Sequence, residues 1–138
     1  MNKEITPVQE VLAYLREAGL FHLATCEGDQ PRVRPFGAEA EFEGRLYIET
    51  SNRKKCFDQM MKNHKVEISA MGKDGSWLRV AATVVEDDRR EARQRMMDEV
   101  PSLSRLYSVD DGKMEVLYLK DATATFYSFT GEPRVVKF

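Results

Sequence analysis

The stretch RPFGAEAEFEGRLYIETSNRKK, from Arg34 to Lys55, decides the fold. Strand-forming residues lie on either side of Glu43-Gly44, a dipeptide typical of a tight turn, and a polar cluster follows at the start of a helical pattern. This order predicts a β-hairpin whose second strand leads directly into a helix. A hairpin that only faces solvent does not need the run Ser51 to Lys55, so we expect these polar side chains to bind something.

The remaining sequence adds further strands and two more helices. Thr6-Pro7-Val8-Gln9 has the pattern of a capping box and predicts the start of a first helix. The helix that follows the hairpin is expected at 53–62, and a third helix is expected at 86–99. Strands are expected at 21–26, 31–36, 46–50, 66–72, 77–85, 114–120 and 123–129. Most strands are joined by short turns, and a barrel leaves few free edges. We therefore predict one domain over residues 1–138, mainly β with inserted helices, as a closed or nearly closed barrel.

Charge and composition argue against several classes of function. The 21 basic and 23 acidic side chains give a formal net charge of −2, whereas general nucleic-acid binders usually carry a basic excess. No apolar run is long enough to cross a bilayer, and the polar start does not resemble a signal peptide, so we expect a cytoplasmic protein. Two cysteines (Cys26 and Cys56) and two histidines (His22 and His64) do not have metal-ligand spacing. We expect no metal site.

Two arginines on the predicted second strand form the first part of a candidate site. Arg32 and Arg34 are two residues apart, so both point to the same face of the strand. Pro35 cannot donate a hydrogen bond to a neighbouring strand, which places this segment at a sheet edge or a bulge. Backbone groups left free there could contact a flat heterocycle. The alternative is a pair of solvated arginines.

The polar run from Thr50 to Lys54 forms the second part. Its hydroxyl and amide side chains precede a helix, whose free backbone amides carry partial positive charge. Arg53 and Lys54 add full charges, and a phosphate group would suit this combination. The alternative is ordinary capping of the helix with two solvated bases.

These segments together resemble a known family. PRVRPFG, the Glu-Gly turn, LYIETSNRKKCFDQMMKN, VEISA and EVLYLKDATATFYSF resemble the flavin-binding core of the pyridoxamine 5'-phosphate oxidase superfamily. The nearer likeness is to its nitroimidazole-reductase-like and general-stress-protein branch. The resemblance implies a split β-barrel and a homodimer that binds two FMN molecules at its interface.

The resemblance also implies roles for individual residues. Arg32, Val33, Arg34 and Pro35 would line the flavin ring and ribityl chain, with Arg34 also reaching the phosphate. Thr50, Ser51 and Asn52 would cap the phosphate, and Lys54 would pair with it. Trp77 is the candidate to cover the flavin from the second subunit, and ordinary packing at the barrel edge is the alternative for this residue.

Two departures from the family pattern limit what the resemblance implies. Asn63-His64 stands where the family often has Asn-Pro, and the chain ends at VVKF without the Arg-x-His pattern by which pyridoxamine phosphate oxidases hold their substrate. We therefore do not expect an oxidase of vitamin B6 synthesis, since a fold does not fix a substrate.

The function expected from the resemblance is an FMN-dependent oxidoreductase. Its small-molecule acceptor would be a nitroaromatic or a quinone, and its donor a reduced nicotinamide or another reductant. The first rival is a flavin or haem carrier or sensor with the same fold, for which His22 and His64 are the available axial ligands. The second is a dimer that binds no cofactor.

Overall fold

The structure, a computed structural model, describes residues 4–138. The elements follow in chain order: α1 Pro7–Ala18, β1 Phe21–Glu27, β2 Gln30–Phe36, β3 Glu39–Phe42, β4 Arg45–Ser51, α2 Lys55–Lys62, β5 Lys65–Met71, β6 Trp77–Asp87, α3 Arg90–Glu99, a 3₁₀ helix Pro101–Arg105, β7 Met114–Tyr127 and β8 Arg134–Lys137. Strands dominate and the helices are inserted between them, which confirms the mainly β class.

The strands form one antiparallel sheet with the order β2-β1-β5-β6-β7-β4-β3, and β8 pairs with β7. The two ends of this sheet, β2 and β3, do not pair, so the barrel is split rather than closed. Strands from both halves of the sheet nevertheless contribute to one apolar core around α1, whose buried residues are Val8, Val11, Leu12 and Leu15. The sheet therefore wraps around α1 and leaves a gap between its two edges.

Local sequence signals explain the best-predicted elements. The side chain of Thr6 accepts a hydrogen bond from the backbone of Gln9, and Gln9 returns one to the backbone of Thr6, so the predicted capping box is confirmed. Glu43 and Gly44 both have positive φ, as a two-residue hairpin turn between β3 and β4 requires. Pro35 lies on β2, an edge strand, as its missing donor predicted.

Three predicted boundaries are wrong. The sequence predicted a helix from Glu86, but Glu86 and Asp87 pair with Leu117 and Val116 and extend β6, so α3 begins at Arg90. The two strands predicted near the end are one long strand, β7, which passes through a positive φ at Asp121. Helix α2 begins at Lys55, two residues later than expected.

A second apolar cluster fixes the segment that follows β6. Ala92 and Met96 of α3 pack on Tyr47 and Val116, and the partly buried Leu103 lies against the same cluster. The Tyr47 hydroxyl donates to Asp87 Oδ2 at 2.7 Å, while the Arg89 side chain donates to the same carboxylate at 2.9 Å. The hydrogen bonds from Arg89 lower the pKa of Asp87 to about 2. This packing holds the 3₁₀ helix beside the ends of β2 and β4.

Candidate functional site

Two adjoining cavities lie where β2, β4 and the start of α2 meet. The first, the Lys55 cavity, has a volume of about 490 Å³ and is lined by Glu27, Arg32, Val33, Arg34, Lys54, Lys55, Cys56 and Gln59. The second, the Leu103 cavity, has a volume of about 250 Å³. It is lined by residues 34–38 of β2 and the loop after it, by Glu49, Thr50, Lys54 and Cys56, and by Val100, Ser102, Leu103, Leu106 and Tyr107. Arg34, Lys54 and Cys56 line both cavities.

Arg34 is held by neutral partners. One guanidinium nitrogen donates to the Leu23 carbonyl at 3.1 Å and to Thr25 Oγ1 at 2.8 Å, and the other donates to Gln59 Oε1 at 2.8 Å. Within residues 4–138, the Arg34 guanidinium forms no salt bridge with a carboxylate. Its position is therefore fixed while its charge stays available to an anion.

Arg32 and Val33 lie on the solvent side of the Lys55 cavity. Arg32 pairs with Glu27 Oε1 at 2.9 Å, and this hydrogen bond lowers the pKa of the Glu27 carboxyl below its ordinary value. The Val33 side chain is 67% exposed. Arg32 is thus partly neutralised, whereas Arg34 is not.

Lys54 precedes α2 and lines both cavities. The helix has no side-chain cap, and in the part of the chain that the structure describes Lys54 forms no salt bridge. An uncapped helix start presents backbone amides with partial positive charge. Lys54, Arg34 and the first turn of α2 therefore make the junction between the two cavities suitable for an anion.

The three polar residues before Lys54 have different surroundings. Thr50 is buried in the wall of the Leu103 cavity, with Oγ1 3.4 Å from Cys56 Sγ. Ser51 Oγ accepts a hydrogen bond from the Arg53 backbone amide at 3.2 Å and lines neither cavity. Asn52 faces β7, since its Nδ2 donates to the Gly112 carbonyl at 2.9 Å and to Glu115 Oε2 at 2.8 Å. Of the three, the structure brings only Thr50 to a cavity.

Within one chain, Trp77 lies at the end of the sheet that is far from the start of β5 and from α2. The register pairs it with Met71, the last residue of β5, whereas α2 leads into the first residue of β5. Its ring stacks on Tyr127 with 5.3 Å between ring centroids, and Phe129 packs beside it with 88% exposure. Trp77 lines neither cavity of its own chain, so a contact with a cofactor there would have to come from a partner chain.

The sequence reasoning missed Glu49 and Gln59. Gln59 holds Arg34 in place, and Glu49 is a buried carboxyl in the wall of the Leu103 cavity. Burial raises the pKa of Glu49 to about 7, against the opposing effect of the nearby Lys54 charge. A signal was present, since Glu49 is the one carboxyl side chain within LYIETS, a run that is otherwise made of apolar, tyrosine and hydroxyl side chains and whose residues are all buried.

Comparison with known structures identifies the family. A NimC/NimA family protein from Clostridium acetobutylicum is 52% identical over 95% of this chain and 92% of its own, with a TM-score of 0.93. The chain belongs to the NimC/NimA family. Neither a protein-family model nor a curated protein sequence matches this family member.

Two more distant structures share the fold of this NimC/NimA protein. A pyridoxamine 5'-phosphate oxidase-related, FMN-binding protein from Nostoc punctiforme is 17% identical, with 99% of each chain covered and a TM-score of 0.67. A haem-binding protein from Mycobacterium smegmatis is 13% identical and gives a TM-score of 0.75 over 99% of this chain and 60% of its own. The split-barrel fold that the resemblance implied is confirmed.

Neither a metal-binding cluster nor a membrane-spanning helix is found in the part of the chain that the structure describes. Among residues 4–138, no three His, Cys, Asp or Glu side chains come together as a metal site. The same residues contain no helix of the length and apolar character needed to cross a membrane.

Proposed function

We propose that this protein binds FMN at the two adjoining cavities and transfers electrons from a reduced nicotinamide to a small acceptor of the quinone or nitroaromatic type. The observation that carries the proposal is the pair Arg34 and Lys54, two cations without a carboxylate partner in the described chain, at the junction of the two cavities. A phosphate would supply the missing negative charge. The fold relative that is named as FMN-binding supports the choice of a flavin.

The chemistry of the walls suggests how the cofactor would be divided between the cavities. The Lys55 cavity presents Arg32, Lys55 and Gln59, which suit a phosphate and a hydroxylated chain. The Leu103 cavity combines apolar side chains such as Phe36, Leu103 and Leu106 with backbone of the loop after β2, which suits a flat ring. We therefore assign the phosphate to the junction at Lys54 and the ring to the Leu103 cavity.

Each residue of the site then has a task that follows from its contacts. Arg34, fixed by Gln59 and Thr25, and Lys54 would bind the phosphate. Thr50 would face the ring from β4, and Pro35 would leave the β2 edge open to it. Ser51 and Asn52 would support the turn that presents Lys54, because their polar atoms are already bonded to the protein. Bound FMN would supply the two-electron redox chemistry.

We propose a homodimer because a second chain would cover surfaces that one chain leaves open. Ala24, Pro31, Ala81 and Ala82 line a shallow depression of about 510 Å³ on the outer face of β1, β5 and β6. Exposed apolar groups, including Val33 and Met71, lie on neighbouring strands. Partner residues, with Trp77 as the candidate, would complete the flavin site from the other subunit.

The geometry favours FMN over haem. A haem would need an axial ligand, yet His22 and His64 are both exposed and line neither cavity. His22 lies between the buried residues Phe21 and Leu23 of β1, so its side chain points to the outer face of the strand.

The redox proposal is tested by following the flavin absorbance of the FMN-loaded protein without oxygen. NADH or NADPH should bleach the flavin bands, and adding a quinone or a nitroaromatic should restore them. Bound FMN that neither nucleotide reduces, and whose chemically reduced form the acceptors do not reoxidise, would contradict the oxidoreductase and favour a flavin carrier or sensor.

A further inference from the structure

Glu49 lies where the edge of β4 is uncovered. The pairing of β3 with β4 ends at Glu39 opposite Ile48, so no β3 residue lies beside Glu49. On its other side, β4 continues to pair with β7, where Glu49 is opposite Val116. The Glu49 residue is 8% exposed, and its side chain lines the Leu103 cavity. A carboxyl group is thus placed in the wall of the proposed ring site.

This carboxyl has no hydrogen-bonded partner in residues 4–138. The ionisable groups that face it come from every element around the cavity: Arg34 of β2, Lys54 before α2, Cys56 of α2, Tyr107 after the 3₁₀ helix and Asp111 before β7. Burial raises the pKa of Glu49 to about 7, Lys54 opposes this shift and Asp111 adds to it. Small changes of nearby charge can therefore change its protonation near neutral pH.

We propose that Glu49 is the proton-exchanging residue of the flavin site, binding a proton when the bound flavin is reduced and releasing it to the acceptor on reoxidation. The inference rests on the proposed function. Reduction by a nicotinamide brings a hydride, and the added negative charge beside Glu49 favours protonation of its carboxylate by solvent. With bound FMN supplying the hydride to a quinone, Glu49 would give its proton to one oxygen of that quinone. The product is the hydroquinone, and Glu49 returns to the carboxylate.

The reaction balances in atoms and electrons without another reactant. One reduced nicotinamide, one solvent proton and one quinone give one oxidised nicotinamide and one hydroquinone. The O–H bond of the Glu49 carboxyl breaks as the O–H bond of the product forms. The position of Glu49 in the wall of the Leu103 cavity suits this task, since a proton donor works best when its pKa is near the working pH.

The test measures proton uptake rather than turnover. Wild-type protein and Glu49→Gln are loaded with FMN and reduced electrochemically in weakly buffered solution near pH 7, with a pH indicator present. We expect Glu49→Gln to take up fewer protons for each flavin reduced than the wild type. The infrared difference between the reduced and oxidised wild type should also contain a carboxyl C=O band that Glu49→Gln lacks.

Glu39→Gln is the matched control. Glu39 is also buried, and its pKa is also raised to about 7 by burial, but it lies against Arg16 and lines neither cavity. Glu39→Gln should retain the proton uptake and the infrared band of the wild type. If Glu49→Gln does not retain FMN, Glu49→Asp replaces it, and its infrared band should shift in frequency because the carboxyl differs.

The outcomes separate the inference from the function on which it rests. Equal proton uptake and an identical infrared difference in the wild type and Glu49→Gln would overturn the role of Glu49 while FMN binding stands. A band that is unchanged in Glu49→Asp would overturn it as well. A wild-type protein that does not retain FMN would overturn the proposed function, and the role of Glu49 with it.

Discussion

At the scale of single residues, the site is defined by which charges have partners. Arg32 is paired with Glu27, whereas Arg34 is bonded to neutral groups and Lys54 is in no salt bridge of the described chain. A cation in a cavity wall that has no carboxylate partner can form a charge-assisted hydrogen bond with a bound anion. The unpaired charges of Arg34 and Lys54 are therefore the residue-level reason to expect a phosphate.

Lys54→Ala should weaken FMN binding by about tenfold to a hundredfold, since a hydrogen bond to a charged group contributes about 1.5–3 kcal/mol. The stability should change little because the side chain is exposed. Fluorescence titration of FMN measures the effect. Lys62→Ala, at the other end of the same helix, is the control and should bind FMN like the wild type. Equal affinity of Lys54→Ala and the wild type would remove Lys54 from the phosphate site.

Glu39 should make the protein less stable as the pH rises. Burial raises the pKa of its carboxyl from 4.5 to about 7, so between these values the folded state binds more protons than the unfolded state. The free energy of unfolding therefore falls from pH 4.5 to about 7 and then levels off. Its Oε2 is buried without a hydrogen-bond partner among the residues described, which agrees with a carboxyl that resists ionisation.

The measurement is denaturant unfolding of the wild type and Glu39→Gln at two pH values. The unfolding free energy of Glu39→Gln minus that of the wild type should be about 1–3 kcal/mol larger above pH 7 than at pH 4. The reason is that the wild type must ionise a buried carboxyl above pH 7, whereas glutamine does not ionise. A difference between the two proteins that does not change with pH would contradict this account of Glu39.

At the scale of elements, the turn between β4 and α2 presents the proposed phosphate ligands. The backbone amide of Lys54 donates to the Ser51 carbonyl at 3.1 Å, and Asn52 ties the same turn to the start of β7. Three elements (β4, α2 and β7) are thus joined at one point. The orientation of Lys54 depends on these hydrogen bonds, although the Asn52 side chain itself faces away from the cavities.

Asn52→Ala should lower the stability by about 1–2 kcal/mol because it removes two hydrogen bonds and leaves the Glu115 carboxylate without a donor. FMN affinity should fall less than in Lys54→Ala. Thermal unfolding and FMN titration on the same preparation measure both effects. A large loss of affinity with unchanged stability would instead make Asn52 a direct ligand of the phosphate.

The sequence predicted those elements whose signals are local. The capping box at Thr6, the turn at Glu43-Gly44 and the edge position of Pro35 depend on a few adjacent residues, and all three are confirmed. The extension of β6 to Asp87 could not be predicted, because it depends on pairing with β7 and on the distant hydroxyl of Tyr47. Local charge favoured a helix there, and tertiary contacts override that preference.

For the candidate site, too, the sequence predicted the local features and not those that depend on tertiary packing. Arg32 and Arg34 on β2 were found because they are two residues apart, and Arg53 and Lys54 because they are adjacent. The structure brings one cation of each pair, Arg34 and Lys54, to one junction. The direction of Asn52 and the cavity position of Glu49 depend on how β7 and the 3₁₀ helix pack, and no pattern within a short window contains that information.

At the scale of the whole molecule, β1 and β2 separate two surfaces of the open barrel. An apolar outer face lies on one side of these strands, and the two cavities lie on the other side. The exposed alanines of the outer face, such as Ala81, are the kind of surface that a second copy covers. We therefore expect the proposed flavin site to be complete only in a dimer.

We expect sedimentation at the mass of a dimer across working concentrations. Ala81→Arg should shift the protein towards the monomer and reduce its FMN affinity, because it places a charge in the proposed interface. Ala13→Arg, which adds the same charge on the exposed side of α1, should remain dimeric. A wild-type protein that sediments as a monomer would rule out the dimer.

Retention of FMN by the purified protein tests directly whether this chain is a flavoprotein. The visible absorbance spectrum should be recorded for the purified protein and again after mixing with FMN and gel filtration. We expect a two-band flavin spectrum to remain with the protein, with one FMN for each chain. A sharp Soret band from a bound haem, or the absence of any retained chromophore in both samples, would contradict it.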